Sequence, residues 1–427
     1  MLFWARAAGS AGFFTAVLIL ARSLGPTGRG TIAFITVSAL VIARLAGFGM
    51  GAATTVLASR RMEARGALLA NLILFVLTSA LIVGSLGFAV LLSLAGQRPE
   101  GIGGPELAIL VGAGAAIALV EAGGAFLLGC GRVQRLALLT ATMTWVYPLL
   151  LGIVWVVDGL TVTRAALVWL TAETIVALVL LSQSARAAGI AAPSPRLLLE
   201  SMHFGVRAWA GSLARLLNFR TDQIILGFLA SEATLGIYAV AVNASEALLY
   251  LPAATATALL PIAARADPHV QVEQALRAFR STVLVTTGLV LVAAVLGPLL
   301  LPVLFGSAYD ASVEPFLLLL PGAFGFAATA IFSSALMASS SPGRSSLGPF
   351  VSLVVGIGLD LLLIPRFGAS GAAAAASVAF LAGGYVALVM FRSKHPFEWR
   401  SLLLLRRGDL ILFRALAGPL RAVRSSS

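Results

Sequence analysis

Two stretches of this chain repeat one another. Residues 20–40 are LARSLGPTGRGTIAFITVSAL, and residues 226–246 are LGFLASEATLGIYAVAVNASE. Aligned without gaps, they match Leu20 to Leu226, Gly30 to Gly236 and Ala33 to Ala239. Each stretch lies where one apolar segment ends and the next begins. The repeat predicts that the chain arose by duplication of one helical unit.

The composition around these stretches is that of an integral membrane protein. Of the 427 residues, 59% are apolar and only 11% are charged, whereas about a quarter of the residues of a soluble domain are charged. A window of about 19 residues predicts twelve transmembrane segments, at 2–22, 31–58, 67–95, 106–128, 136–157, 165–183, 204–230, 234–262, 279–304, 313–338, 346–364 and 370–391. Because backbone polar groups in hydrocarbon must be satisfied within their own segment, these are helices and the fold is all-α. The short connections exclude a large aqueous catalytic domain.

The longest polar connection between predicted helices is 184–202, which separates six helices from six. We therefore predict an N-terminal six-helix lobe at 1–183, a cytoplasmic linker at 184–202, a C-terminal six-helix lobe at 203–391 and a basic amphipathic cytoplasmic tail at 392–427. An even helix count gives both halves the same orientation. The lobes are then related by a pseudo-two-fold axis along the membrane normal, an arrangement found in transporters with a substrate site between the halves.

The net charge of +12 is explained by basic loops on one side of the membrane, and we predict no nucleic-acid partner. Of the 29 Lys and Arg residues, 21 lie in segments on the side of the N-terminus and five on the other side, Arg29 among the five. The positive-inside rule then predicts that both termini are cytoplasmic. The single cysteine, Cys130, and three scattered histidines provide no disulfide or metal framework, so we predict no cofactor and no metal.

Ionisable residues near the middle of a membrane span are costly to bury and are candidates for function. They are Arg44, Glu121, Glu173, Arg215, Arg220, Asp222, Glu246 and Asp360. Within 204–230, a polar stripe on one helix face is predicted from residues spaced three or four apart: Arg207, Gly211, Arg215, Asn218 and Asp222. Arg215 and Asp222 are about 10 Å apart along such a helix, too far for a close ion pair. The arginines therefore need an anion from another helix or from a ligand, and the guanidinium group suits phosphate.

Two interpretations of these charges stay open. In the first, Arg44, Arg215 and Arg220, with Asn218, line a cavity and bind an anionic ligand. In the second, the arginines are held in ion pairs with Glu121, Asp222 or Glu246 and bind nothing. Glu121 and Glu173 either pack and hydrogen-bond between helices or couple transport to protons or sodium. Asp222 and Glu246 are further candidates for this coupling. Asp360 is interpreted as structural.

Several longer stretches resemble one family. They are LARSLGPTGRGTIAF at 20–34, the block from FGVRAWAGSLARLLNFRTDQ to LLPIAAR at 204–265, PFLLLLPGAFGF at 315–326 and GLDLLLIPRFGASGAAAAASVAF at 358–380. The chain resembles the lipid-linked oligosaccharide flippases, the O-antigen and capsular polysaccharide translocases, of the multidrug and polysaccharide exporter superfamily. The resemblance covers essentially the whole chain and is most specific at 207–265.

The resemblance implies two six-helix bundles around a central cavity that opens alternately to each side. It also implies an undecaprenyl-diphosphate-linked oligosaccharide as substrate, carried outwards across a bacterial inner membrane with proton or sodium coupling. Arg44, Arg215 and Arg220 would correspond to the basic cavity, and a polysaccharide polymerase and chain-length machinery would be partners. The lipid II flippases of this superfamily commonly have fourteen helices, against twelve predicted here.

Three other functions are compatible with an all-α membrane chain. A multidrug antiporter of the same superfamily would need an acidic cavity for cationic drugs, whereas the central charges here are largely basic. A membrane-embedded polymerase or glycosyltransferase would need a larger external loop than the sequence offers. A non-transporting scaffold would not need charges inside its spans.

Overall fold

The computed structural model describes residues 2–93, 101–189 and 191–403, and the regular elements in these ranges are all helical. The α-helices are α1 Leu2–Gly47, α2 Met50–Arg60, α3 Arg65–Ser93, α4 Gly104–Gly129, α5 Val133–Met143, α6 Val146–Asp158, α7 Val162–Ala188, α8 Pro195–Leu229, α9 Glu232–Glu246, α10 Tyr250–Ala263, α11 Pro268–Phe305, α12 Val313–Leu319, α13 Gly322–Ala338, α14 Pro342–Lys394 and α15 Arg400–Leu403. The all-α prediction is confirmed. The predicted amphipathic part of the tail falls mostly on 404–427, outside the described residues.

Within those ranges, eight helical segments are long and apolar enough to cross a bilayer, or nine if the segments around α12 and α13, bent by 44°, form one span. Twelve segments were predicted. Two of the eight, in α1 and α14, each contain two predicted segments. The segment at 204–230 lies on α8, which is not among the eight because it carries several charges. Counting α12 and α13 as one span gives nine, and dividing α1 and α14 and adding α8 then gives twelve.

The divisions of α1 and α14 are sharp turns at glycine. Gly25 has φ 65° and Gly368 has φ 54°, a left-handed conformation that glycine adopts at little cost. A Cβ on Gly28 would lie 2.8 Å from the Cβ of Leu24, although residues four apart in a continuous helix are about 5–6 Å apart. The backbone therefore folds back at Gly25.

The two arms of α14, before and after Gly368, form a helical hairpin and contact each other. A Cβ on Gly348 would lie 2.8 Å from the carbonyl oxygen of Gly383, and a Cβ on Gly383 would lie 2.7 Å from that of Gly348. These residues stand on opposite sides of Gly368, so the arms pack against each other. The absence of side chains there allows the close backbone approach that is common between membrane helices.

Four predicted spans are interrupted in the structure. The span 31–58 is divided at Phe48 and Gly49, which have φ 42° and 72°. The spans 136–157, 234–262 and 313–338 are divided at 144–145, 247–249 and 320–321. A Cβ on Gly49 would lie 2.0 Å from the carbonyl oxygen of Gly205. The break after α1 thus coincides with the place where the backbone of α8 crosses it.

The chain divides into two compact units, Met1–Ala239 and Val240–Ser427. The first unit extends past the predicted linker because α8 packs against α1, α2 and α3. The second unit has its own apolar core, with Ile331, Phe332 and Phe391 fully buried. The lobe and linker boundaries at 184–202 remain predictions.

The segment between α7 and α8 is fastened to the first unit. The Asn71 side chain donates to the Ser194 carbonyl at 2.8 Å and accepts from the Ser194 N–H at 2.9 Å. Arg61 forms an ion pair of 2.7 Å with Glu200. These contacts fix the position at which α8 begins.

The two copies of the repeat meet inside the first unit. A Cβ on Gly30 would lie 1.8 Å from the Glu232 carbonyl oxygen, and a Cβ on Gly236 would lie 1.9 Å from the Pro26 carbonyl oxygen. In the repeat alignment Gly30 matches Gly236 and Pro26 matches Glu232. The contact is therefore reciprocal, as it would be across a local two-fold axis.

Arg29 lies in a helix, although the sequence predicted that it is in an external loop. The second arm of α1 is already helical at Pro26 and Arg29 is 6% exposed. Proline fits the first turn of a helix because its fixed φ is already helical. The Gly25–Pro26 dipeptide was thus the signal for an earlier helix start, and Arg29 is buried.

Candidate functional site

A cavity of about 120 Å³ lies within the first unit, among α1, α2, α3, α4 and α8. Its lining consists of small residues around two charges: Arg44, Gly47, Gly49, Gly51, Ala52, Val76, Ala118, Glu121, Ala122 and Ser212. The glycines and alanines leave the space that larger side chains would fill. The volume corresponds to roughly four water molecules, so the cavity admits a small polar group.

Arg44 and Glu121 form the charged centre of this cavity. Arg44 Nη2 lies 2.8 Å from Glu121 Oε1, and the two side chains are 32% and 37% exposed. Arg44 Nε is buried, and no group in the described ranges accepts a hydrogen bond from it. Since a guanidinium has five N–H donors, this one-oxygen contact leaves donors available. The pair therefore faces the cavity with unused hydrogen-bonding capacity on the arginine.

α8 is held against this centre by aromatic contacts. Trp209 Nε1 donates to the backbone carbonyl of Arg44 at 2.8 Å, and its ring lies 4.8 Å from that of Phe48. Ser212, one turn further along α8, lines the cavity. Arg215 follows after another three residues and is exposed. Because residues three apart share a helix face, Arg215 extends the polar face of the cavity along α8.

The remaining polar residues of α8 make other contacts. Arg220 Nη1 donates to the Phe219 carbonyl at 3.1 Å, and Asn218 is half-buried. Asp222 accepts a 2.7 Å hydrogen bond from the Gln223 N–H and a short one from the Tyr238 hydroxyl. Asp222 therefore connects α8 to α9.

The other candidates lie elsewhere. Glu173 is on α7 and is hydrogen-bonded by the side chain of Trp169, one turn earlier. Glu246 is the last residue of α9 and belongs to the second unit. Asp360, on α14, is 3% exposed. Of the eight predicted charges, the structure brings Arg44 and Glu121 together at one cavity and leaves Glu173 and Asp360 on separate helices.

Three contributors to the site were missed at the sequence level. Ser212 lies three residues before Arg215 of the predicted polar stripe, so the helical spacing could have predicted its position. Trp209 and Tyr238 carried no such signal, because their roles depend on which helices become neighbours. No group of three or more metal-ligating side chains occurs in the part of the chain that is described.

Comparison with known proteins identifies the family. Residues 11–267 match the family described as polysaccharide biosynthesis protein. The chain belongs to this family. No curated protein matches the sequence. This match covers more than half of the chain and supports the resemblance to oligosaccharide flippases.

Solved structures share the fold of this family member. The lipid II flippase MurJ, in an inward closed conformation, aligns with a TM-score of 0.77 and 13% identity, covering 100% of this chain and 96% of that one. An inward-facing multidrug resistance MATE family transporter of the MOP superfamily aligns with a TM-score of 0.71 and 16% identity, covering 90% and 94%. A Vibrio cholerae MATE transporter aligns with a TM-score of 0.59 and 16% identity, covering 94% and 97%.

These likenesses establish the fold. The chain is a multi-pass membrane protein with a MATE-like architecture, as predicted from its sequence. The two structures with the higher TM-scores are a flippase and a transporter, and the prediction of a transporter in place of an enzyme is consistent with the fold they share with this chain.

Proposed function

We propose that this protein is a flippase that carries an undecaprenyl-diphosphate-linked oligosaccharide from the cytoplasmic to the outer leaflet of a bacterial inner membrane. The product supplies cell-surface polysaccharide synthesis, and the polymerase and chain-length machinery are the expected partners. Both termini are cytoplasmic in this proposal. Transport proceeds by alternating access and is coupled to protons or sodium.

The observation that carries the proposal is the incomplete pairing of Arg44. A buried donor without a partner costs about 1–3 kcal/mol, and Arg44 Nε is such a donor. Nε itself is closed to solvent, but the Arg44 side chain is 32% exposed and lines the cavity. A phosphate would therefore bind the terminal N–H groups, since guanidinium binds phosphate through parallel N–H donors. A cation, in contrast, would find the only cavity acid among the described lining residues already paired with Arg44. The site therefore favours an anionic ligand.

The cavity size limits which part of the substrate enters. About 120 Å³ accommodates a phosphate group but not an oligosaccharide. In this proposal Arg44 binds the diphosphate, Arg215, Arg220 and Asn218 extend the polar surface for the sugars, and the lipid tail remains in the bilayer. Asp222, Glu173 and Glu246 are further candidates for cation coupling.

The depth of the cavity fits a substrate that arrives from the cytoplasm. Glu121 is eight residues before the last residue of α4, Gly129, about 12 Å along the helix. Arg132 and Arg135 follow this end of α4, and basic residues mark the cytoplasmic side. The ion pair is thus nearer to the cytoplasmic surface.

The test is translocation of a fluorescent undecaprenyl-diphosphate oligosaccharide in proteoliposomes. Arg44→Gln removes a charged hydrogen-bond donor, and we expect transport to slow by roughly tenfold or more, the equivalent of at least 1.4 kcal/mol. Arg215→Ala/Arg220→Ala should also slow it. The control is Arg164→Gln, which breaks the 2.7 Å pair with Asp158 away from the cavity and should transport normally.

Two outcomes would contradict the proposal. Equal transport by wild type and Arg44→Gln would exclude the arginine as the diphosphate ligand. Absence of any lipid-linked glycan movement, together with uptake of an organic cation, would assign the chain to drug antiport.

A further inference from the structure

The Arg44–Glu121 pair has a property that a simple anion site lacks, because its arginine is shared between a protein carboxylate and the ligand. Glu121 Oε1 contacts the guanidinium at 2.8 Å. Among the residues that the structure describes, Arg44 provides the only charged side chain in contact with Glu121. A diphosphate that takes the guanidinium must therefore compete with this carboxylate.

Among the residues that the structure describes, the cavity lining around Glu121 contains no cation besides Arg44. The cavity wall next to it is formed by Ala118, Ala122 and Val76, with Ser212 from α8. Arg44 and Glu121 are the ionisable residues of the described lining. The other ionisable residues of α4 and of the helices packed against it lie outside that lining: Arg22, Arg29, Arg60, Arg65, Glu106, Arg135, Arg164, Glu173 and Arg186. On α8 the same holds for Arg196, Glu200, His203, Arg207, Arg215, Arg220 and Asp222.

We propose that diphosphate binding at Arg44 is coupled to the uptake of one proton by Glu121. This inference rests on the proposed function, which supplies the diphosphate. In the empty site the arginine and the carboxylate neutralise each other. When phosphate oxygens take the guanidinium, Glu121 is left without a partner beside a second anion, and a carboxylate in such a place is protonated instead.

The coupling is reciprocal by thermodynamic necessity. Protonation of Glu121 releases the guanidinium and strengthens diphosphate binding, and diphosphate binding strengthens proton binding. The proton comes from hydronium or from the acid form of the buffer, whose bond to that hydrogen breaks as the O–H bond on Glu121 forms. The proton and the diphosphate therefore occupy the site together, which makes Glu121 a positioning residue for Arg44 and not a ligand of the substrate.

The test uses the purified full-length protein in nanodiscs and undecaprenyl diphosphate without sugar as the probe. Binding is measured by calorimetry in two buffers with different ionisation enthalpies, which counts the protons taken up. We expect wild type to bind one proton more than Glu121→Gln. Across the titration of Glu121, the wild-type affinity should gain up to roughly tenfold per unit fall in pH beyond the gain in Glu121→Gln.

Glu121→Gln mimics the protonated acid, and we therefore expect it to bind the probe more tightly than wild type at neutral pH. The matched control is Glu200→Gln, which removes the acid of a pair with similar length and exposure at Arg61, outside the cavity. Its proton count should equal that of wild type. The buffer comparison on wild type needs no substitution, so a variant that fails to fold does not end the test.

The outcomes separate the two proposals. Binding with the same proton count in wild type and Glu121→Gln, or weaker binding by Glu121→Gln, would overturn the coupling but leave the diphosphate site standing. Zero excess proton uptake by wild type would do the same. Loss of probe binding by all variants, wild type included, would overturn the proposed function itself.

Discussion

Glu121 and Asp222 are both acids within membrane helices, but their environments differ. Asp222 accepts hydrogen bonds from the Tyr238 hydroxyl and the Gln223 N–H. Glu121 contacts a guanidinium that also faces a cavity. The hydrogen bond from Tyr238 joins Asp222 to α9, whereas the partner of Glu121 lines a cavity and can be taken by a ligand, so Glu121 responds to binding. Residue type and spacing did not distinguish these two acids.

The hydroxyl of Tyr238 should contribute measurably to stability. Tyr238→Phe removes a hydrogen bond to a charged acceptor, worth about 1.5–3 kcal/mol. We expect the thermal unfolding midpoint of the purified protein to fall. Tyr385→Phe is the control, because Tyr385 is 65% exposed, and its midpoint should match wild type. An unchanged midpoint in Tyr238→Phe would show that this bond does not stabilise the fold.

At the scale of elements, hydropathy located the helices but not their breaks. Apolar composition alone predicts where the helices lie, because an apolar segment in the bilayer must form its backbone hydrogen bonds internally. The breaks at Gly25, Gly368 and Phe48–Gly49 lie at residues with positive φ, which hydropathy does not locate. At Gly25 the following proline was a further signal in the sequence. The pairing of Arg44 with Glu121 was one of several alternatives, since it depends on which faces of α1 and α4 meet. The same holds for the approach of Gly30 to Gly236.

The crossing at Gly30 allows no side chain. A methyl group on Gly30 would lie 1.8 Å from the Glu232 carbonyl oxygen, so Gly30→Ala must push the two helices apart. We expect loss of folded protein or a lower unfolding midpoint, since overpacking typically costs about 1–3 kcal/mol.

The control for that prediction is Gly152→Ala in α6, where nothing lies within 4 Å of the added Cβ. Alanine favours helix over glycine by about 1 kcal/mol, so the control should be neutral or stabilised. Equal behaviour of the two variants would contradict the tight crossing.

At the scale of the whole molecule, orientation is testable with the native cysteine. Cys130 directly follows α4, whose 26 residues span about 39 Å, more than the hydrocarbon thickness. A membrane-impermeant maleimide should therefore label Cys130 from the cytoplasmic side. In a Cys130→Ala background, Gly104→Cys at the other end of α4 should be labelled from outside. The reverse pattern would invert the proposed topology.

The pH dependence of this labelling follows from the environment of Cys130. Burial raises the pKa of its thiol above the ordinary value, opposed in part by Arg65 and Arg132. Because the thiolate is the reactive form, labelling should be slow at neutral pH and accelerate as the pH rises toward that pKa. A labelling rate that reaches half its maximum at or below the ordinary pKa of a thiol would contradict this effect of partial burial.

The reciprocal contact of Gly30 and Gly236 also bears on how the gene has evolved. The two copies of the repeat differ at most positions, because after a duplication each copy can change independently of the other. At these two positions independent change is not possible, because a side chain on either glycine would meet the backbone of the opposite copy. A larger residue at either glycine produces the same steric clash, and the unchanged glycine in the other copy does not relieve it. We expect these glycines to be lost or kept together as the chain diverges further.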